Sequence, residues 1–522
     1  MIAVLLLVPM VGALLMWLTR QRLTRTHWAI SVAVGVVLIL VHGLAWLTAP
    51  PPIEISTWEP QALFQAQLIL RLDRPSMGLS GSIAILLLSV YLTGPARPGS
   101  SSPVTRLLGA GYAGLAMVAV MADNLLTVAL AWGLADVYAY VFLLPAAEDE
   151  EAVLGLTRRF SAQVVSLLLV LGAAMPSLVF AQTVGPGWQS ALLAFAVLIR
   201  VGLWPLHVGL PPLPGVRRGL GTLVRLMPTA MGLAALDRLL PAEVPLLVRV
   251  VLVLLGGLSV ALGSLRWVAA DDPLRERPFM VLLFAGLGVL ASVINPGPGT
   301  HAVAAVGCSL LLIGGMISVL VPHEPWHRSL VWVAAILLTG LPWTANHSLA
   351  SLAASAVGAD VVSLIGGILM VGGLSAAAIG AASSRLPVLA PWESGEGFVQ
   401  GAYGLGLALP LLGVVPVGLL LGGQPATAGL VAALLAIGLF AAGQWVIGRG
   451  DQRLLRIGEA STARAAAGLR AAAGFVWRWV GRHVGGASRL VAGVLEGRAG
   501  ILWVYVVLLA IGLALAGGAS GP

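Results

Sequence analysis

Lysine does not occur once in these 522 residues, so all 29 Lys+Arg positions are arginine. Cysteine occurs once, at Cys308, which excludes a disulfide framework, a thiolate metal site and a redox dithiol. Charged residues make up 10% of the chain and aromatic residues 6%, against 59% hydrophobic. So few polar side chains cannot cover a core of this size in water, which excludes a soluble enzyme domain. Nucleotide-binding loops, flavin and haem motifs and catalytic triads are missing as well, so no catalytic site, cofactor or metal site is read in the chain. The first run, "MIAVLLLVPMVGALLMWLTRQR", lacks a basic start and a small-residue cleavage site, and reads as a retained helix.

Apolar runs fill the chain instead. Crossing a hydrocarbon core of about 30 Å takes about twenty apolar residues. Such runs fall near 1–18, 28–48, 74–94, 106–122, 125–145, 160–181, 188–210, 219–240, 246–268, 278–295, 301–321, 329–347, 359–383, 399–421, 424–447 and 500–518. Pro205 and Pro342 each stand inside a run and predict a broken helix, a feature tolerated at membrane depth where it lines a cavity. The sequence thus predicts an all-α integral membrane protein of about sixteen transmembrane helices, two of them broken. Its parts are a core over 1–423 with about fourteen helices, a further helix over 424–447, an amphipathic Arg-rich lateral helix over 448–499 and a terminal transmembrane helix within 500–522.

A net charge of +8 would point a soluble protein towards nucleic acid; in a membrane protein it marks loops on one side, and no nucleic-acid partner is read. With the N-terminus outside, fourteen arginines, among them Arg97, Arg106, Arg158 and Arg159, fall in inside loops. Nine more fall in 448–499, and only Arg71, Arg74, Arg238 and Arg249 fall outside. This asymmetry predicts a multi-pass protein of the cell (inner) membrane, both termini outside and the Arg-rich segment cytoplasmic. In that segment Arg449, Arg453, Arg456, Arg464, Arg470, Arg478, Arg482 and Arg489 share a helical arc of about 120°. The pattern fits a helix lying against anionic lipid headgroups, either as a lateral brace across neighbouring helices or as a basic surface linker.

Four stretches in order, "RLDRPSMGLSGSIAILLLSVYLTG", "DNLLTVALAWGLADVYAYVFLL", "IRVGLWPLHVGLPP" and "ILLTGLPWTANHSLA", resemble the antiporter-like proton-translocating membrane subunits of respiratory complex I, membrane-bound hydrogenases and Mrp antiporters. They are similar to that family's third helix, fifth helix, broken seventh helix and broken twelfth helix. The resemblance implies a proton path along buried charges and other membrane subunits as partners. Residue by residue, the family's fifth-helix glutamate falls at Gly133 beside Trp132, and the nearest acid is Asp136. Its seventh-helix lysine falls at Arg200, while Pro205 and His207 match, and its twelfth-helix lysine falls near Ala350, with His347 close by.

A buried lysine can alternate between charged and neutral forms. A guanidinium, with a pKa above about 12, keeps its charge. Arg200 with Asp136 is therefore read either as an ion pair on a proton axis or as a static tie between two helices. His207 and His347 follow helix-breaking prolines and read as relay or packing histidines; Arg225 is a further candidate on the path, with His301 nearby. "AAEDEEAV" (146–153) reads as a solvated acidic loop or docking patch, and Asp237, beside Arg238, and Asp360 as interface residues at span ends. In "PHEPWHRS" the pair His323 and His327 imitates a zinc-protease spacing, but Pro325 disfavours the helix that motif requires. The expected role is a membrane subunit of an ion-translocating assembly, ancestrally proton-translocating and degenerate for want of the lysines. The alternatives are a non-conducting scaffold subunit, or an energising subunit for inorganic carbon uptake with a soluble zinc-containing partner.

Overall fold

The computed structural model describes residues 2–19, 24–55, 67–96, 103–174, 187–205, 219–240, 244–270, 273–294, 301–384, 392, 396–422 and 426–448. Sixteen helices run through them, eleven long and apolar enough to cross a membrane. The first eight are α1 (Ile2–Leu18), α2 (Thr24–Thr48), α3 (Arg74–Thr93), α4 (Pro103–Met121), α5 (Leu125–Leu143), α6 (Glu150–Ala174), α7 (Trp188–Arg200) and α8 (Leu220–Leu239). The rest are α9 (Leu246–Ala269), α10 (Pro273–Ile294), α11 (Ala302–Val319), α12 (Pro325–Leu338), α13 (Ala345–Ser355), α14 (Val361–Ala382), α15 (Gly397–Leu420) and α16 (Thr427–Gly448). The chain is a multi-pass, all-α membrane protein. The Arg-rich segment read over 448–499 lies, apart from Gly448, outside the described residues, as does the run at 500–518.

Helix starts follow the chain's few polar side chains. Asp73 and Ser76 form a reciprocal capping box at α3, with Ser76 N–H donating to Asp73 Oδ1 over 3.1 Å and Asp73 N–H to Ser76 Oγ over 2.9 Å. Asn124 caps α5 by accepting from Thr127 N–H, and Asp360 caps α14 by accepting from Ser363 N–H, each over 2.9 Å. Every residue of α11 is buried, as expected of a helix apolar all round at the centre of a bundle. Helix α1 instead presents Leu7, Met10, Leu14 and Leu18 outwards.

Two expectations need correcting. The run placed at 160–181 is a helix from Glu150, because Asp149 accepts from Ala152 N–H over 2.6 Å and Glu150 and Glu151 occupy its first turn, where acids favour a helix start. The acidic stretch is thus half helix, and Arg158 and Arg159, read as loop residues, lie within α6. The chain also holds a small antiparallel hairpin, Ile53–Ile55 on Leu68–Leu70, that hydropathy did not foretell.

At the start of α14 Arg249 reaches Asp360 over 2.8 Å. That hydrogen bond, with the one from Ser363 N–H, holds the Asp360 carboxyl down to about 2. A carboxyl depressed in the folded state stabilises above its unfolded pKa of about 4 and loses that contribution as pH falls towards 2. Asp360→Ala is expected to cost about 1 kcal/mol at pH 7, in line with a lost cap, and to cost almost nothing at pH 2. Unfolding in mixed micelles at the two pH values checks this.

Candidate functional site

Among the described residues the most deeply buried arginine, Arg200, lies where α5, α7 and α8 meet. Helix α7 ends at Arg200, and Gly202 then adopts φ +70°. Arg200 is therefore the last helical residue rather than a mid-helix one, placed where freed carbonyls favour a cation. Leu203 N–H returns to Leu198 O over 2.9 Å and Trp204 N–H donates to Ser259 Oγ over 3.1 Å, so the chain past the helix end is held from α9 before Pro205. Gly232 of α8 sits against the Arg200 stem.

Arg200 NH1 donates to Asp136 Oδ2 over 2.5 Å, and both residues are buried. The guanidinium lies 4.5 Å from the centre of the Trp132 ring, one turn before Asp136, a cation–π contact. Thus α5 supplies both the carboxylate and the aromatic face. A Cβ at Gly133 would meet Leu167 of α6 at 3.4 Å, while Asp136 pairs with Arg200 of α7. Arg200 Nε and NH2, Trp132 Nε1 and Gln163 Oε1 are buried and lack a hydrogen-bond partner. Beside Asp136 is a cavity of about 30 Å³ lined by Tyr112, Arg159 and Gln163 among others. That is room for one or two waters.

A second polar locus is the break between α12 and α13. Gly340 (φ +87°) and Trp343 (φ +62°) take left-handed backbone around Pro342, so the break spans 339–344. His347 Nδ1 donates to Gly340 O over 2.9 Å and its Nε2 accepts from Ala426 N–H over 3.3 Å, which fixes the neutral ring with its proton on Nδ1. Asn346 Oδ1 accepts from Ser309 Oγ over 2.8 Å, just before a π-helical turn at Leu310–Gly314 of α11. Ala350, where the resemblance implied a lysine, is buried, and a Cβ at Gly340 would stand 3.0 Å from its methyl.

The other candidates separate. Arg225 lies on α8, its NH1 3.5 Å from Gly221 O. His207 lies outside the described residues. Pro325 opens α12, so His323 is not on the helix that carries His327, and His327 Nδ1 accepts from His323 N–H and Glu324 N–H, each over 3.1 Å. Among the described residues no cluster of three or more His, Cys, Asp or Glu could hold a metal. Sequence reasoning missed the partners of Arg238. It bridges Asp73 (3.1 Å) and Asp123 (2.9 Å) and donates to Val120 O and Ala122 O, fastening α8 to the starts of α3 and α5. These partners lie more than 100 residues away in sequence and leave no local signal.

No protein-family sequence model matches this chain, and no curated protein sequence does either. Solved structures do. A chain of the Mrp complex from Dietzia sp. DQ12-45-1b superposes with a TM-score of 0.68 at 17% identity, covering 100% of this chain and 63% of that one. The chain carries the fold of the Mrp and complex I membrane subunits. A chain of respiratory complex I from Thermus thermophilus with bound Aureothin matches with a TM-score of 0.57 at 18% identity over 81% of this chain and 100% of that one. A chain of the membrane-bound sulfane sulfur reductase, an archaeal respiratory membrane complex, matches with a TM-score of 0.59 at 15% identity over 79% of this chain and 75% of that one. This chain therefore spans less than two thirds of the Mrp chain it resembles. Among the described residues, the end of α7 and the break before α13 each carry a buried polar residue, Arg200 and His347.

Proposed function

We propose that this chain is a membrane subunit of a multi-subunit ion-translocating assembly, and that its α5–α7 charge pair is a fixed tie rather than a proton carrier. The fold match over the whole chain supports the first part. The geometry of Arg200 carries the second. A guanidinium bonded to Asp136 at 2.5 Å and stacked on Trp132 has neither a neutral form to alternate with nor a flexible ammonium head to swing. A conducting variant draws support from the cavity beside Asp136, where water could bring a proton to the carboxylate. The Arg-rich segment at 448–499 belongs on the cytoplasmic side against anionic headgroups, and both termini outside, by the arginine asymmetry.

Purification of the tagged full chain from its native membrane in mild detergent is expected to bring other membrane subunits with it. In vesicles of that preparation Asp136→Asn is expected to alter assembly yield and proton flux together, since both follow from loss of the tie. Flux abolished by Asp136→Asn at normal assembly, and retained in Arg200→Ala, would overturn the fixed-tie reading.

A further inference from the structure

Arg159 stands ten residues into α6 and is half-buried against α8, where its NH2 donates to Val224 O over 2.8 Å. Three other arginines of the bundle have a carboxylate: Arg200 has Asp136, Arg238 has Asp73 and Asp123, and Arg249 has Asp360. Arg159 makes no ion pair among the described residues. It is near enough to Asp136, Arg200 and Arg225 to act on all three electrostatically, and Asp136 is already held by Arg200. With Asp136 taken by Arg200, the Arg159 guanidinium has no carboxylate of its own among the described residues. An uncompensated charge inside a membrane-spanning bundle is costly, and buried charges are ordinarily paired.

The cavity at Arg159 is where that pairing can occur. Its room for one or two waters also suffices for a halide. Tyr112 and Gln163 line it with Arg159, and Gln163, four residues on from Arg159, stands on the same face of α6. Asp136 also lines it, with its Oδ2 bonded to Arg200. Arg200 Nε and NH2 and Trp132 Nε1 are buried donors without a hydrogen-bond partner. We propose that this cavity binds one small monovalent inorganic anion of chloride size as the counter-ion of Arg159. The proposal rests on Arg159 having no carboxylate of its own, and an anion in this cavity would displace the water on which the conducting variant draws.

Thermal unfolding of the purified full chain, titrated with sodium chloride against sodium gluconate at constant ionic strength, tests it. Wild type is expected to gain a saturable chloride-dependent rise in Tm, matched by bromide. Arg159→Gln is expected to lose that dependence, while Arg158→Gln, an exposed neighbour on the same helix, keeps it. Gln163→Glu places a carboxylate in the cavity four residues from Arg159, and is expected to make Tm independent of chloride. Should Arg159→Gln fail to fold, the comparison of Gln163→Glu with wild type decides alone. Equal wild-type unfolding in chloride and gluconate, or a chloride dependence that persists in Gln163→Glu, would overturn the site.

Discussion

Asp136→Ala is expected to destabilise the protein by about 3–5 kcal/mol, the most of any single polar truncation in the bundle. The substitution leaves the Arg200 guanidinium, about 1% exposed, with Trp132 as its remaining ring contact and without a carboxylate. The size of the effect reports the cost of the abandoned charge and not the value of the pair. For that reason Asp136→Leu combined with Arg200→Met is expected to recover most of the loss, because two apolar side chains of similar volume leave nothing unpaired. Unfolding in mixed micelles of the two single variants and the double variant checks this. A double variant as unstable as the sum of the singles would mean that the pair itself, with its cation–π contact, supplies the stability.

Gly418→Ala is expected to be the most damaging addition of a single methyl. A Cβ there would stand 2.5 Å from the Thr344 carbonyl carbon and 2.7 Å from the Ala345 nitrogen. These are backbone atoms of the break between α12 and α13, so no rotamer change relieves the clash. Overpacking of this kind costs about 1–3 kcal/mol, and the upper end applies where the obstacle cannot turn aside. Gly401, on the same helix, has nothing within 4 Å of an added Cβ, and its alanine variant is expected to be neutral or to gain up to about 1 kcal/mol from helix propensity. Equal thermal unfolding of the two variants would show that α15 does not lie on the break as described.

Hydropathy located most of the helices because a bilayer imposes one length and one composition on every span. The α5–α7 pair was legible in another way: an arginine in an apolar run demands a partner, and the family resemblance pointed to Asp136 as the acid nearest the missing glutamate. What escaped is what a run of residue types does not encode. Arg159 looked like a loop arginine because charge alone set the boundary, whereas Asp149 and the acids after it start α6 earlier. Helix α13 was hidden in a stretch too short and too polar to register as a span. The anchorage of His347, and half of that of Arg238, depend on backbone carbonyl and amide groups. No pattern of side chains could have announced them.

The placement of His347 has a mechanical consequence. Its ring is a strut between the carbonyl at the start of the break and the amide just before α16, and it bears on both only while Nε2 is an acceptor. One side chain therefore ties the start of the break to the start of α16, and a truncation at His347 would release both at once.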